Sequence, residues 1–409
     1  MSASDPLPAT TFDLCVIGAG VSGLCLARLA AGRGLQVLVL EMHPEAGGCL
    51  CSVPVGGPDP QGWLELGAHT CYNSYVRFLE VMAGTDFESR ATSRKGLGFR
   101  MVERGAMRTI PSCLDFLEAA VCLPRIFSTR KAGQSAAGYY SRILGRRNWD
   151  RVLHPALNAV ASQDTAGFPA DALFKQRPRR RKDVLRSFAV RGGLGPAVQA
   201  LGEQPGVHLA LEREAVDLRR TGEGYRLGTG RGETVAARRL AVATPPDAAA
   251  SLLAPAFPEL AALLERISTR KVKSLGLVFG DPLPHVPRLA GLILPEGPCF
   301  SAVSGDAFPV PGKRAWSFHF DGGRVEDPEE MEAYACRVLG ADPARVEVRV
   351  RRYHTMPSIP LGHDRWLEAL DGALAGGDLM VAGNYLSGMS IEDCAGRARH
   401  EFERVLARP

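Results

Sequence analysis

No run of about eighteen apolar residues occurs in the chain, so no membrane-spanning helix is expected. The opening MSASDPLPATTFD lacks a basic stretch and an apolar core, so no secretory signal is expected either. Charge of one sign is missing as well. Lys and Arg number 49 against 44 Asp and Glu, and the resulting +5 is spread over 409 residues. A dedicated nucleic-acid binder concentrates its charge on one face, so nucleic acid is not expected as a partner. The ten cysteines form no CxxC pair. Cys49-Leu50-Cys51 is the closest pair, and no histidine cluster completes a zinc site around it, so no metal is expected. Scattered thiols in a long chain imply a reducing, cytoplasmic setting. Disorder is excluded by 45% hydrophobic and 23% charged residues. The length exceeds what one core usually serves, so two interleaved domains are expected.

What is present begins at residue 12. FDLCVI is a short apolar run of strand formers, followed by Gly18-Ala19-Gly20-Val21-Ser22-Gly23 and then an apolar helical stretch. A second strand, 36–40, ends at Glu41. This order has a specific physical use. Gly18 permits the tight turn, Gly20 leaves room for a pyrophosphate against the backbone, and Gly23 lets the helix pack on the sheet. The helix N-terminus offers free N–H groups to phosphate. Glu41 stands where a carboxylate accepts both ribose hydroxyls, which disfavours a 2′-phosphate. Motif and context together specify an adenine dinucleotide.

The next residues, Glu41-Met42-His43-Pro44-Glu45-Ala46-Gly47-Gly48, resemble the "E…GG" extension of the flavin-containing amine oxidase superfamily. Many members continue with arginine; here the residue is Cys49. Leu64-Glu65-Leu66-Gly67-Ala68-His69 resembles that family's next block. Near the other end, Met356 to His363 and Gly383-Asn384 through Gly388-Met389-Ser390-Ile391-Glu392-Asp393-Cys394 resemble protoporphyrinogen oxidases more than monoamine oxidases. The segment 240–246 resembles the family's "VxATP" strand. The likeness covers 12–70, 186–250 and 355–406 and is weak elsewhere.

The fold it implies is α/β: a Rossmann-like FAD-binding domain of the GR2/amine oxidase type with a discontinuous α+β substrate domain. The expected FAD-binding parts are 10–73, 186–252 and 371–409; the substrate parts are 74–185 and 253–370. FAD would be held by Gly18, Gly20, Val21, Ser22, Gly23, Glu41, Met42, Gly47, Gly48, Ala215, Val216, Thr244, Gly383, Asn384, Gly388, Met389, Ser390 and Ile391. Of these, the amides of Met389, Ser390 and Ile391 open a long final helix. Its N-terminus suits the negative charge that develops on a reduced flavin.

The middle of the chain is less informative. Leu114 to Phe127 reads as an apolar helix broken at Pro124. A core helix is the plainer reading, a lipid-touching surface the sharper one. Arg177 to Lys182 is a dense basic run, read as a solvated loop or as a clamp for carboxylates or anionic lipid. Lys273, Leu275, Leu277 and Phe279 alternate and share one strand face. The resemblance makes Lys273 a candidate for holding a water at the flavin. A register slip of one residue puts Ser274 there. His69 and Tyr72 join Lys273 as candidate catalytic or pocket residues; His363 reads more readily as a structural histidine. Cys49 and Cys394 are the thiols expected near the flavin.

The implied reaction is two-electron oxidation of a C–H next to nitrogen, in a cyclic amine or a reduced pyrrole-type small molecule, with O2 as acceptor. Three readings stay open: a specialised-metabolism paralogue, a protoporphyrinogen oxidase, and a non-enzymatic binding protein built like the GDP-dissociation inhibitors. Monomer and homodimer are both compatible, and so is a peripheral membrane contact.

Overall fold

Leu14–Ile17, Val37–Leu40, Leu240–Val242 and Leu379–Val381 are short apolar strands with every residue buried. A strand that is apolar on both faces belongs inside a parallel sheet covered on each side. That is where they lie in the computed structural model, which describes residues 7–8, 10–56 and 60–406. The expected spans 10–73 and 371–409 take in 57–59 and 407–409, and the reading of the N-terminus takes in 1–6 and 9; these lie outside the described residues. The sheet order is Val207–Ala210, Val37–Leu40, Leu14–Ile17, Leu240–Val242, Leu379–Val381, all parallel.

One face of this sheet, carrying Leu14, Val16, Val37, Val39, Ala241 and Met380, packs against Val21–Ala31 and Ile391–Leu406. The alternate residues, such as Cys15, Ile17, Leu38, Leu40 and Val242, pack against Pro246–Leu253, Pro258–Leu264 and His363–Leu374. Each fully buried leucine or valine contributes about 1.5–3 kcal/mol. The first and the last helix thus meet over the sheet, although the sequence places them at opposite ends.

A second sheet of seven strands runs Val346–Pro357, Thr269–Phe279, Arg314–Asp321, Cys299–Ser304, Gly291–Ile293, Phe99–Glu103, Ala106–Thr109. Its register decides which side chains face the first sheet. Gly276 sits opposite Ser317 and Val350, and a Cβ on it would lie 2.7 Å from Leu66 Cδ2. The even-numbered side chains from Val272 to Gly276 therefore face the Gly62–Glu65 strand and the turn beyond it. Odd-numbered side chains enter a separate core with Trp316, Phe318 and Phe320. Ser317 Oγ donates to Glu65 O at 2.7 Å and His354 Nε2 lies 3.2 Å from Leu66 O, so polar bonds join the two halves.

One local reading is revised. The stretch 114–127 is Phe116–Cys122 followed by a 3-10 turn, Leu123–Phe127, and Phe116, Leu117, Val121, Leu123, Ile126 and Phe127 face outward rather than into a core.

Candidate active site and cofactor cradle

The glycine turn divides its labour by geometry. Gly18 has φ +98°, and a Cβ there would lie 2.8 Å from Ala243 O. A Cβ on Gly23 would lie 2.0 Å from Gly18 O, so only glycine fits. Gly20 differs: its φ is −73°, and a Cβ would meet nothing nearer than Gly48 Cα at 4.0 Å. Neither backbone strain nor packing requires glycine at Gly20. What its missing side chain keeps free is the space before the first helix, whose N-terminus has no side-chain cap and no acid in its first turn, where Val21 and Ser22 begin the chain of free amides. Buried Thr244 Oγ1, beside Gly18, has no hydrogen-bond partner among the described residues. Open space, uncapped amides and an orphaned hydroxyl fit the phosphates of a dinucleotide.

Glu41 is buried, and its carboxylate accepts from Ala19 N at 2.8 Å and His43 N at 3.0 Å. The chain before Ala215 runs alongside, with Arg213 N donating to Glu41 O and Glu212 N to His43 O. Ala215 and Val216 follow on an edge strand next to this point, and the Val216 side chain is exposed. Met42 also points outward, at 56% exposure, so its backbone rather than its side chain is near the cradle.

The Gly pair closes directly on the first turn. Gly47 N donates to Ala19 O at 2.8 Å, Gly47 bridges to Gly20, and a Cβ on Gly48 would lie 3.1 Å from Gly20 Cα. Gly67 passes under Cys49, where a Cβ would lie 1.9 Å from Cys49 O. Arg352, from the second sheet, donates to Cys51 Sγ at 3.2 Å and pairs with Glu45. An arginine thus reaches this loop from 300 residues away in a chain that has Cys49 after the Gly pair.

At the far end, Leu379–Val381 runs parallel to Leu240–Val242 and brings buried Gly383 and half-buried Asn384 to the same end of the sheet as the glycine turn. Gly388 has φ +131°. Beyond Met389, Ser390 Oγ accepts from Asp393 N at 3.1 Å and donates to Asp393 Oδ2 at 2.7 Å, which caps the helix that Ile391 begins. That cap takes up part of the dipole expected to serve the flavin. Two cations compensate, one just before the basic run and one within it: Lys175 Nζ donates to Ser387 O, and Arg177 bonds Ser390 Oγ at 2.9 Å and Asp393 Oδ1 at 3.1 Å. Arg177 is therefore not part of a solvated loop, and Arg181 pairs with Glu88 and Asp183. Only Arg179, Arg180 and Lys182 of the run remain outside these contacts.

From the second sheet, His319 and His354 approach the Gly67–His69 turn, which carries a third histidine. His319, on the even face of the second sheet, meets Ser274 Oγ at 2.9 Å. Burial pushes its pKa down to about 3, with His69 and His354 adding repulsion. Burial, with the nearby Arg94 guanidinium, pushes His69 down to about 4, and burial lowers His354 too. All three are neutral at neutral pH. Glu65, bonded by Ser52 Oγ and Leu194 N, is raised to about 7 by burial. A cavity of about 20 Å³, lined by Glu65, His69 and Arg94, has room for a single water.

Lys273 is not in this group. Its Nζ donates to Val325 O at 2.9 Å, because strand alternation turns it to the Leu275 face. Ser274 takes the position toward the histidines. Tyr72 is 42% exposed, with its ring edge on Tyr75 at 5.4 Å. His363 is buried, bonds Leu386 O at 2.9 Å and stacks on Trp366, a structural arrangement. Gln163 went unnoticed in the sequence. It is 3% exposed, its Nε2 donates to Pro357 O at 2.8 Å and lies 3.8 Å from Met389 Sδ, and its Oε1 has no partner among the described residues. No local pattern marks it, since both neighbours are about 200 residues distant.

Fold and site together define a dinucleotide-binding flavoprotein with a second sheet laid beside its cradle. The chain belongs to the flavin containing amine oxidoreductase family, whose sequence profile matches residues 21–406. It is a flavin-dependent oxidoreductase, with FAD as its cofactor. A tRNA 5-methylaminomethyl-2-thiouridine biosynthesis bifunctional protein of Stutzerimonas stutzeri is 27% identical over 236 residues, covering 57% of this chain and 29% of that protein. The match thus spans under a third of that relative. Among solved structures, a protein provisionally named protoporphyrinogen oxidase from Exiguobacterium sp. 255-15 superposes with a TM-score of 0.77 at 17% identity, covering 97% of this chain and 99% of that one. Cyclohexylamine oxidase from Brevibacterium oxydans gives 0.70 at 16%, covering 96% and 98%. At these identities the likeness is one of fold.

Proposed function

We propose that the enzyme oxidises a small nitrogen-containing molecule, a cyclic amine or reduced pyrrole-type compound, at a C–H next to nitrogen. When bound, FAD accepts the two electrons and passes them to dioxygen, giving hydrogen peroxide. The protein positions the substrate and sets its protonation. Gln163 Oε1, a buried acceptor on the side chain whose amide nitrogen lies beside Met389, carries the reading: an N–H donor on the substrate would satisfy an atom that otherwise loses about 1–3 kcal/mol. The burial that keeps His69 and His319 neutral likewise favours a neutral amine over an ammonium, and only the neutral amine has a lone pair to assist C–H cleavage. Ser274 and His319 would orient the substrate from the sheet side. Ten free cysteines support a reducing, cytoplasmic setting.

The test is anaerobic mixing of the flavin-loaded protein with a panel of cyclic amines and with protoporphyrinogen, followed by flavin bleaching and, in air, peroxide. Bleaching by a small heterocycle, with Gln163→Leu raising its KM, is expected. Rapid turnover of protoporphyrinogen with none of the small amines would replace this reading with the tetrapyrrole one.

A further inference from the structure

The helix Phe116–Cys122 is amphipathic in the reverse sense. Its inward arc carries Glu118, Ala119 and Cys122; its outward arc carries Phe116 at 64%, Leu117 at 83% and Val121 at 71% exposure. The following turn, Leu123–Phe127, continues the surface with Leu123, Ile126 and Phe127, the last 94% exposed. The acids of this segment are spent internally. Asp115 accepts from Glu118 N as the helix cap and pairs with Arg147, while Glu118 accepts from Arg147 N and Asn148 N. Around the patch the charge is basic: residues 110–147 hold six Lys and Arg against those two acids. Arg125, Arg130 and Arg142 are exposed, and none of them is in an ion pair among the described residues. Monomeric soluble proteins rarely leave such a contiguous apolar surface bare.

We propose that this face docks on an anionic lipid bilayer, with the Phe116–Phe127 surface entering the headgroup boundary and the arginines meeting lipid phosphates. Three features favour a bilayer over a second copy of the chain. The apolar residues stand furthest out, the flanking charge is predominantly basic, with Asp150 paired to Arg146, and two copies would bring the unpaired arginines together. The contact is interfacial, since no helix among the described residues is long and apolar enough to cross a membrane. It does not depend on which substrate the enzyme oxidises.

The experiment is co-sedimentation of the flavin-loaded protein with vesicles of phosphatidylcholine alone and with about 30% phosphatidylglycerol. Binding is expected to the anionic vesicles only, and to weaken several-fold when salt rises from about 0.1 to about 0.5 M. The double variant Leu117→Glu/Phe127→Glu should lose at least about tenfold in partitioning while keeping its flavin spectrum. Arg125→Glu/Arg130→Glu, which leaves the apolar surface intact, should lose the preference for phosphatidylglycerol. Failure of the wild type to bind either vesicle overturns the proposal. So does equal binding by the Leu117→Glu/Phe127→Glu variant, or a wild-type dimer in solution that this variant makes monomeric.

Discussion

His319 offers a quantitative test of the neutral pocket. Its folded pKa of about 3 lies below the ordinary 6.5, so it contributes stability that is complete above pH 6.5 and is lost as pH falls toward 3. At pH 5 the unfolded histidine is mostly protonated and the folded one is not. The difference is about 1.5 pH units, or about 2 kcal/mol at 1.36 kcal/mol per unit. The residue is 6% exposed, so solvent screening takes little from this figure. His319→Gln keeps a partner for Ser274 Oγ but cannot titrate. Urea unfolding of both proteins at pH 7.5 and pH 5.0 should show the wild type losing about 2 kcal/mol more than the variant across that interval. His69 and His354 remain in both proteins and cancel in the comparison. An identical acid loss in the two proteins would mean that His319 is solvated or already charged, and the argument for a neutral amine substrate would lose its basis.

Gln163→Leu removes the orphaned acceptor and should cut kcat/KM for the amine substrate about tenfold, chiefly through KM, as one lost hydrogen bond implies. An unchanged KM would place the substrate elsewhere. Lys273→Met should leave the rate of flavin reduction within about twofold and cost about 1 kcal/mol of stability, since Nζ only bonds Val325 O; a large rate loss would return Lys273 to the site. Cys49 and Cys394 have thiols raised by burial to about 11 and about 12 and therefore stay protonated and poorly nucleophilic. Acid precipitation should leave the yellow colour in the supernatant, and colour in the pellet would show a covalent link.

The cradle was legible in the sequence because each of its positions is fixed by a local demand. Gly18 needs positive φ, Gly23 needs contact with the turn, and Glu41 needs the end of a strand. The side facing the second sheet was not, because its contacts join residues far apart. Lys273 and Ser274 lie on opposite faces of one strand, and only the pairing with 314–321 shows which face meets His69. Arg177 read as solvated because Asp393, its partner, is 216 residues away. Gln163 carries no pattern at all. The 116–127 stretch shows a different limit: an apolar arc has the same periodicity whether it faces a core or the outside, and only the positions of Asp115 and Glu118 reveal the direction.

The central claim is that the space before the first helix is kept empty for the phosphates of FAD. Gly20→Val tests it, because a Cβ at this position meets nothing nearer than Gly48 Cα at 4.0 Å, so folding should stay intact. The account predicts a soluble, folded variant with native far-UV circular dichroism and no flavin absorption, beside a yellow wild type. A Gly20→Val protein that retains a full complement of FAD would contradict it.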